Sequence, residues 1–272
     1  MALSQGVHLV FDRSFLEGDS AIMVPHTSDG RVMFAIPWHD HVVVGTTDTP
    51  ISDATLEPVA FEQEIEFILK TASLYFAKKP AADDVLSVFA GIRPLVRSAA
   101  TGSTSGLSRD HSIRIDSSGL LTICGGKWTT YRHMAEDCVN QAAMLAGLAE
   151  RACITQHLNI HGFHTNSDRF GHLSVYGSDA PAVQALGSER LHSALPYTDA
   201  EVIWAARHEM AMSVEDVLAR RTRALFLNVK AAVAMAPRVA ALMAREFGED
   251  ADWQSRQIAS FEEVAQGYRL TG

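Results

Sequence analysis

Four short β-branched or aromatic runs crowd the start of the chain, at residues 7–11, 22–25, 31–37 and 41–45. The links between the later ones are Thr27-Ser28-Asp29-Gly30 and Trp38-His39-Asp40, which are turn-forming sequences. Links this short cannot carry a parallel crossover, which needs about a dozen residues or more. The chain must therefore open with an antiparallel sheet. Phe61, Ile65, Ile68, Leu69, Ala72 and Tyr75/Phe76 then recur at helical spacing up to Pro80. Residues 85–90 read as a further strand running into Gly91-Ile92-Arg93-Pro94, and residues 101–106 as a Gly/Ser/Thr loop. Runs at 113–116 and 120–124 predict a hairpin around Ser117-Ser118-Gly119.

After that hairpin comes Gly125-Gly126-Lys127-Trp128-Thr129-Thr130-Tyr131-Arg132, which feeds a helix expected to run to about Leu148. Its expected buried face is Met134, Ala135, Cys138, Val139, Ala142 and Leu145. Residues 151–168 read as a linker rich in His, Asn and Ser, beyond which Ala, Arg, Glu and Leu dominate. Asp199 is the expected cap of one helix, and Ser213 with Asp216 forms a capping-box variant opening another. Asn228 starts an alanine-rich helix that Pro237 should kink or break, Gly248 is its C-cap, and Asp252 opens the last helix. The fold class is α+β: an antiparallel sheet with flanking helices over about 1–150, then an all-α domain over about 165–272.

The 272 residues are 47% apolar, enough for a substantial core, and the formal net charge of −9 argues against a nucleic-acid surface. No apolar run reaches bilayer length, and the first residues do not read as a signal peptide. The three cysteines, Cys124, Cys138 and Cys153, have spacing that suits neither a disulfide framework nor a zinc site. No metal is expected, and the location expected is the cytoplasm.

Several residues carry candidate chemistry. A glycine turn at a helix start presents unpaired amides and positive dipole, which suit an anion or an electron-rich ring edge. Gly125, Gly126, Lys127, Thr129 and Thr130 form that turn here, although the hydroxyls serve equally as plain caps. Arg93 and Arg109 flank the Gly/Ser/Thr loop; they either converge on one anion, which guanidinium groups hold bidentately, or pair with surface carboxylates. His8, on the first strand, is either a satisfied packing group or a proton acceptor. Thr46, Thr47 and Asp48 end a strand, as a turn or as a second rank of site residues. Arg220, Arg221 and Arg223 make a basic cluster, either a solvated and paired face or an anionic-lipid contact. No Gly-x-Gly-x-x-Gly turn follows any strand.

Gly125-Gly126-Lys127-Trp128-Thr129-Thr130-Tyr131-Arg132, followed by Met134-Ala135-Glu136-Asp137, resembles the closing flavin-contact segment of the FAD-dependent glycerol-3-phosphate dehydrogenases. Matches in the same order are Gly6-Val7-His8-Leu9-Val10, Phe34-Ala35-Ile36-Pro37-Trp38, Gly45-Thr46-Thr47-Asp48, Gly91-Ile92-Arg93-Pro94-Leu95, Ser108-Arg109-Asp110-His111 and the run from Val214 to Arg223. The resemblance implies the C-terminal portion of such an enzyme: a substrate-binding sheet domain with the closing segment of the FAD-binding domain over 1–150, then a helical domain. It implies FAD as cofactor, sn-glycerol 3-phosphate as substrate and a quinone as electron acceptor. By the same resemblance His8 and Arg93 are catalytic, and Arg93, Arg109 and Lys127 bind substrate. Gly125, Gly126, Lys127, Thr129 and Thr130, with Thr46, Thr47 and Asp48, face the flavin. The first dinucleotide-binding unit of the family has no counterpart here, so these residues alone are expected to bind FAD weakly and not to turn over. A peripheral position on the inner face of the cytoplasmic membrane and a homodimer stay open. The rival readings are an oxidase that uses oxygen and a flavin-free binding or scaffold module.

Overall fold

The structure is a computed structural model that describes residues 2–25, 27–28, 30–95 and 111–270. The chain divides into two compact units, Met1–Ser4 with Arg93–Phe163, and Gln5–Ile92 with His164–Gly272. The loop at 101–106 lies outside the described residues, as does Arg109.

The larger unit is built on a six-stranded sheet, apart from two strand ends, residues 2–4 and 93–95, that belong to the smaller unit. Its strands are β1 (Ala2–Asp12), β2 (Ile22–Val24), β3 (Met33–Trp38), β4 (His41–Gly45), β5 (Thr49–Ile51) and β6 (Val85–Leu95). The order is β2-β3-β4-β1-β5, with β6 also pairing β1. The expected antiparallel hairpin is there: Trp38 pairs His41 across a two-residue turn, His39-Asp40. Both turn residues have left-handed φ, 48° and 59°, the geometry that matches strand twist in the tightest hairpins. Val7, Leu9 and Phe11 alternate along β1 and are fully buried with Val42, Val44, Met33 and Ile68.

Helix α1 (Glu62–Ala72) lies against this core through Ile68 and Ala72. It stops well short of Pro80, because the amides of Leu74 and Phe76 turn back to the carbonyls of Thr71 and Ala72. Its first turn carries the best-connected buried group in the unit. Glu64, 3% exposed, accepts from Thr47 Oγ1 (2.8 Å), Thr49 Oγ1 (2.6 Å), Gln5 Nε2 (2.8 Å) and the Phe61 amide (3.0 Å).

In the smaller unit β7 (His111–Ile115) and β8 (Leu121–Gly125) form the expected hairpin, and α2 (Tyr131–Leu145) follows. The face of α2 expected to be core is not: no residue of the helix is buried, and Val139 and Leu145 are exposed. Cys138 is accordingly half-buried rather than a core residue. Periodicity marks a face suited to packing, but burial needs a partner surface, and none covers this face among the described residues.

The C-terminal helices α3 (Ala180–Gln184), α4 (Asp199–His208), α5 (Ala224–Leu227), α6 (Val229–Phe247) and α7 (Ala251–Gln266) belong to the larger unit. A π-helical turn, Asp216–Arg221, precedes α5. The α+β class expected from sequence is the one observed. Two helix starts and one helix interior need correction. Thr198, not Asp199, caps α4, with Glu201 reaching back to the Thr198 amide; Asp199 instead holds Arg238 with both oxygens (2.7 and 2.6 Å). Asp250, not Asp252, caps α7 by accepting from the Trp253 amide. Helix α6 continues through Pro237 instead of breaking, with Val239, Ala240 and Met243 buried beyond it; tertiary burial outweighs the lost hydrogen bond. Asn228, the Ser213/Asp216 pair and the left-handed Gly248 cap as expected. The strand and helices are tied where the Val88 amide meets the Tyr268 carbonyl and Ser87 Oγ donates to the Leu225 carbonyl (2.8 Å).

Glu64→Ala is expected to destabilise the chain by about 3–5 kcal/mol in denaturant unfolding, since several buried donors lose their acceptor together. Glu64→Gln should cost clearly less; equal costs for both would show that hydrogen bonding is not what Glu64 supplies.

Candidate functional site

On the sheet, His8 and Gly45 are paired partners on β1 and β4. A methyl group on Gly45 would sit 2.5 Å from His8 Cδ2 and 2.7 Å from the Val7 carbonyl oxygen. Only glycine lets the imidazole lie across the neighbouring strand. The ring also stacks on Phe89 of β6, at 5.1 Å and 16°. Phe89 meets Phe226 edge-on at 5.1 Å, and Phe226 meets Tyr268 edge-on at 5.4 Å. Strand register and an aromatic stack thus hold a titratable side chain in one orientation.

Thr46, Thr47 and Asp48 leave β4 beside this pair. The Thr47 hydroxyl is buried and committed: it donates to Glu64 and accepts from the Val7 amide at 3.0 Å. Thr46 Oγ1 donates to the Thr47 carbonyl. Among the three, Thr46 and Asp48 keep partly exposed side chains.

Arg93 lies on β6, half-buried, within the smaller unit. That unit also carries the glycine turn. Gly125 and Gly126 both have φ of 82°, which excludes ordinary side chains. At Gly126 a methyl group would lie 2.3 Å from Met134 Sδ, so the backbone passes directly over the first turn of α2. Thr130 caps this entrance, donating to the Lys127 carbonyl (3.0 Å) and accepting from the Lys127 amide (3.3 Å). Trp128 stands 87% exposed and stacks on Tyr131 at 5.6 Å. His111 holds Asp137 at 2.9 Å, and that bond draws the Asp137 carboxyl below its ordinary range.

The structure therefore gathers His8, Gly45, Thr46 and Phe89 in one place, and Gly125, Gly126, Lys127 and Thr130 in another. Phe89 is the residue that sequence reading missed; its signal was only the apolar run before Gly91. Two of the three arginines in the basic cluster are engaged: Arg220 bonds Asp216 at 3.0 Å and reaches Glu215, and Arg221 donates to the Glu209 carbonyl.

Beyond these residues, Glu201 is a further group missed from sequence. It is 2% exposed, and burial raises its carboxyl to about 7 against an ordinary 4.5, despite the Thr198 hydrogen bonds.

Residues 1–132 match the family model described as FAD dependent oxidoreductase, and residues 120–254 match that described as the C-terminal domain of alpha-glycerophosphate oxidase. The two matched regions together account for residues 1–254, in line with the FAD-dependent oxidoreductase family. A probable mitochondrial glycerol-3-phosphate dehydrogenase of Caenorhabditis elegans is 39% identical over 94% of this chain, and the human mitochondrial glycerol-3-phosphate dehydrogenase is 38% identical over 91%. The glycerol-3-phosphate dehydrogenase of Bacillus halodurans, solved in complex with FAD, superposes over 100% of the chain with a TM-score of 0.79 and 28% identity. The chain spans 39% and 38% of the first two relatives and 58% of the third. The mitochondrial relatives overturn the cytoplasmic location expected from the cysteines. Unpaired thiols report a reducing environment, not which compartment supplies it.

Two outcomes follow. Gly45→Ala should destabilise the chain by about 2–4 kcal/mol, because the new methyl meets backbone as well as imidazole; an unchanged midpoint would remove the role given to this contact. Glu201 titrates higher in the fold than unfolded, so its contribution is full below pH 4.5 and fades as pH rises through about 7. The unfolding free energy of Glu201→Gln should accordingly fall less between pH 5 and 8 than that of the parent chain, by on the order of 1 kcal/mol.

Proposed function

We propose that this chain forms the substrate-facing part of a flavoprotein that oxidises sn-glycerol 3-phosphate to dihydroxyacetone phosphate. The observation that carries the reading is His8, fixed between Gly45 and Phe89, in a chain whose relatives are named for this reaction. A secondary alcohol must lose its hydroxyl proton as carbon 2 gives up hydride. His8 is the base for that proton, and its locked ring serves the geometry that proton transfer demands. Arg93 and Arg109, with Lys127, hold the phosphate. Binding energy gathered at that group, away from the reacting carbon, aligns carbon 2 for transfer.

FAD, when bound, supplies the hydride acceptor. The residues present suit it: the double-glycine turn brings backbone amides to an open edge, which no side chain at Gly126 could share. Lys127 and the amide end of the segment from Trp128 complement the negative charge that gathers on the flavin carbonyl edge. Thr129 adds a hydroxyl there, and Thr130 keeps the turn in shape. Thr46 and Asp48 are assigned to the flavin as well, while Thr47 holds the strand end in place.

Quinone is the proposed acceptor, in line with relatives named dehydrogenases. The expected result in the FAD-loaded enzyme is a fall of about 10²–10³ in kcat/KM for Arg93→Ala, carried by KM and kcat together. His8→Ala should lower kcat by a similar ~10²–10⁴ factor, with a weaker dependence on pH. Turnover like the parent's in both variants would overturn the assignment. Oxygen consumption outpacing quinone reduction would replace the dehydrogenase reading by the oxidase one.

A further inference from the structure

The tip of the β3–β4 hairpin and the C-terminal helical segments enclose a cavity of about 420 Å³ that none of the chemistry above uses. Its walls include His39, His172, Arg190, Arg223, Tyr197 and Glu201, all of the larger unit. We propose that this cavity is a second ligand site, which binds a small phosphate monoester through Arg190 and Arg223.

The arginines carry the argument. In a chain of net charge −9, guanidinium groups find carboxylates readily: Arg207 takes Glu246, Arg238 takes Asp199 and Glu189, and Arg220 takes Glu215 and Asp216. Arg190 and Arg223 make no ion pair or side-chain hydrogen bond among the described residues, yet both line one cavity. Two guanidiniums offer planar forks of donors for the several oxygens of a phosphate, more than a lone carboxylate uses.

Backbone conformation singles out the same place. His39, Asp40 and Arg223 all line the cavity and are three of the four described non-glycine residues with positive φ. His and Asp tolerate that region; an arginine at φ 59° does not do so without cost, and such residues gather at ligand sites. The left-handed turn puts the Arg223 side chain on the cavity wall.

The electrostatics agree. Burial and then Arg223 lower the His39 pKa, and burial and then Arg190 lower that of His172. Both imidazoles are thereby kept neutral, as hydrogen-bonding groups beside a site whose positive charge comes from arginine. Burial keeps the Tyr197 phenol protonated, a donor for the ester's own hydroxyl or carboxyl groups. Of the negative groups on the wall, Glu201 is the one held partly neutral by burial, and Asp40 sits at the exposed rim. Among the described residues no three of His, Cys, Asp and Glu are grouped to hold a metal ion, so the histidines do not make a metal centre.

The test is titration of the FAD-loaded enzyme with 3-phosphoglycerate, followed by the ring resonance of His172 and by calorimetry. A saturable His172 shift is expected, absent with glycerol. Arg190→Gln and Arg223→Gly should each weaken it about tenfold or more. Neither should lower Tm, since Arg190 has no partner to lose and glycine suits the left-handed backbone at 223. Arg93→Ala should leave the His172 shift intact, which separates this site from the substrate clamp. No saturable shift up to ~10 mM ligand, or equal affinity in the parent and both variants, would overturn the proposal.

Discussion

One buried carboxyl group organises the sheet side of this protein. Glu64 collects hydrogen bonds from Gln5 on β1, Thr47 in the β4–β5 connection, Thr49 at the start of β5, and the amide that opens α1. Each such bond contributes only about 1 kcal/mol net, but losing the shared acceptor strands all the donors in a dry environment at once. Because Thr47 also accepts from the Val7 amide, the same network holds the end of β4 against the middle of β1. That is where His8 and Gly45 face each other.

Orientation of His8 then passes from hydrogen bonding to packing. Gly45 leaves room for the ring and Phe89 stacks against it. Phe89 is backed by Phe226 and Tyr268, residues that come from far along the chain, and the Tyr268 carbonyl also accepts from the Val88 amide of β6. The C-terminal helices are therefore part of what positions the proposed base. Their own core of Val, Leu, Ala and Met around α6 is large enough to keep that helix continuous through Pro237.

Much of the local structure was legible in the residues themselves. Turn chemistry at Trp38-His39-Asp40 and Ser117-Ser118-Gly119 set antiparallel hairpins, and Asn228, Ser213 with Asp216, and Gly248 announced helix ends. Misplaced caps at Asp199 and Asp252 were off by one or two residues, because several polar side chains compete at a helix start and tertiary partners such as Arg238 decide between them. The α2 face failed for a different reason. Spacing tells which residues prefer to pack, not whether a surface meets them.

The sequence by itself determined the α+β class, the antiparallel opening, the glycine turn and the family resemblance, since each rests on short-range patterns or ordered motifs that the residue order states directly. Only the tertiary structure decided that Glu64 is a buried hub, that Phe89 and Gly45 clamp His8, and that Arg190 and Arg223 share a cavity with His39. Those relations join residues dozens to over a hundred positions apart, and no local pattern encodes which distant side chains the folded backbone will bring within hydrogen-bonding or stacking range.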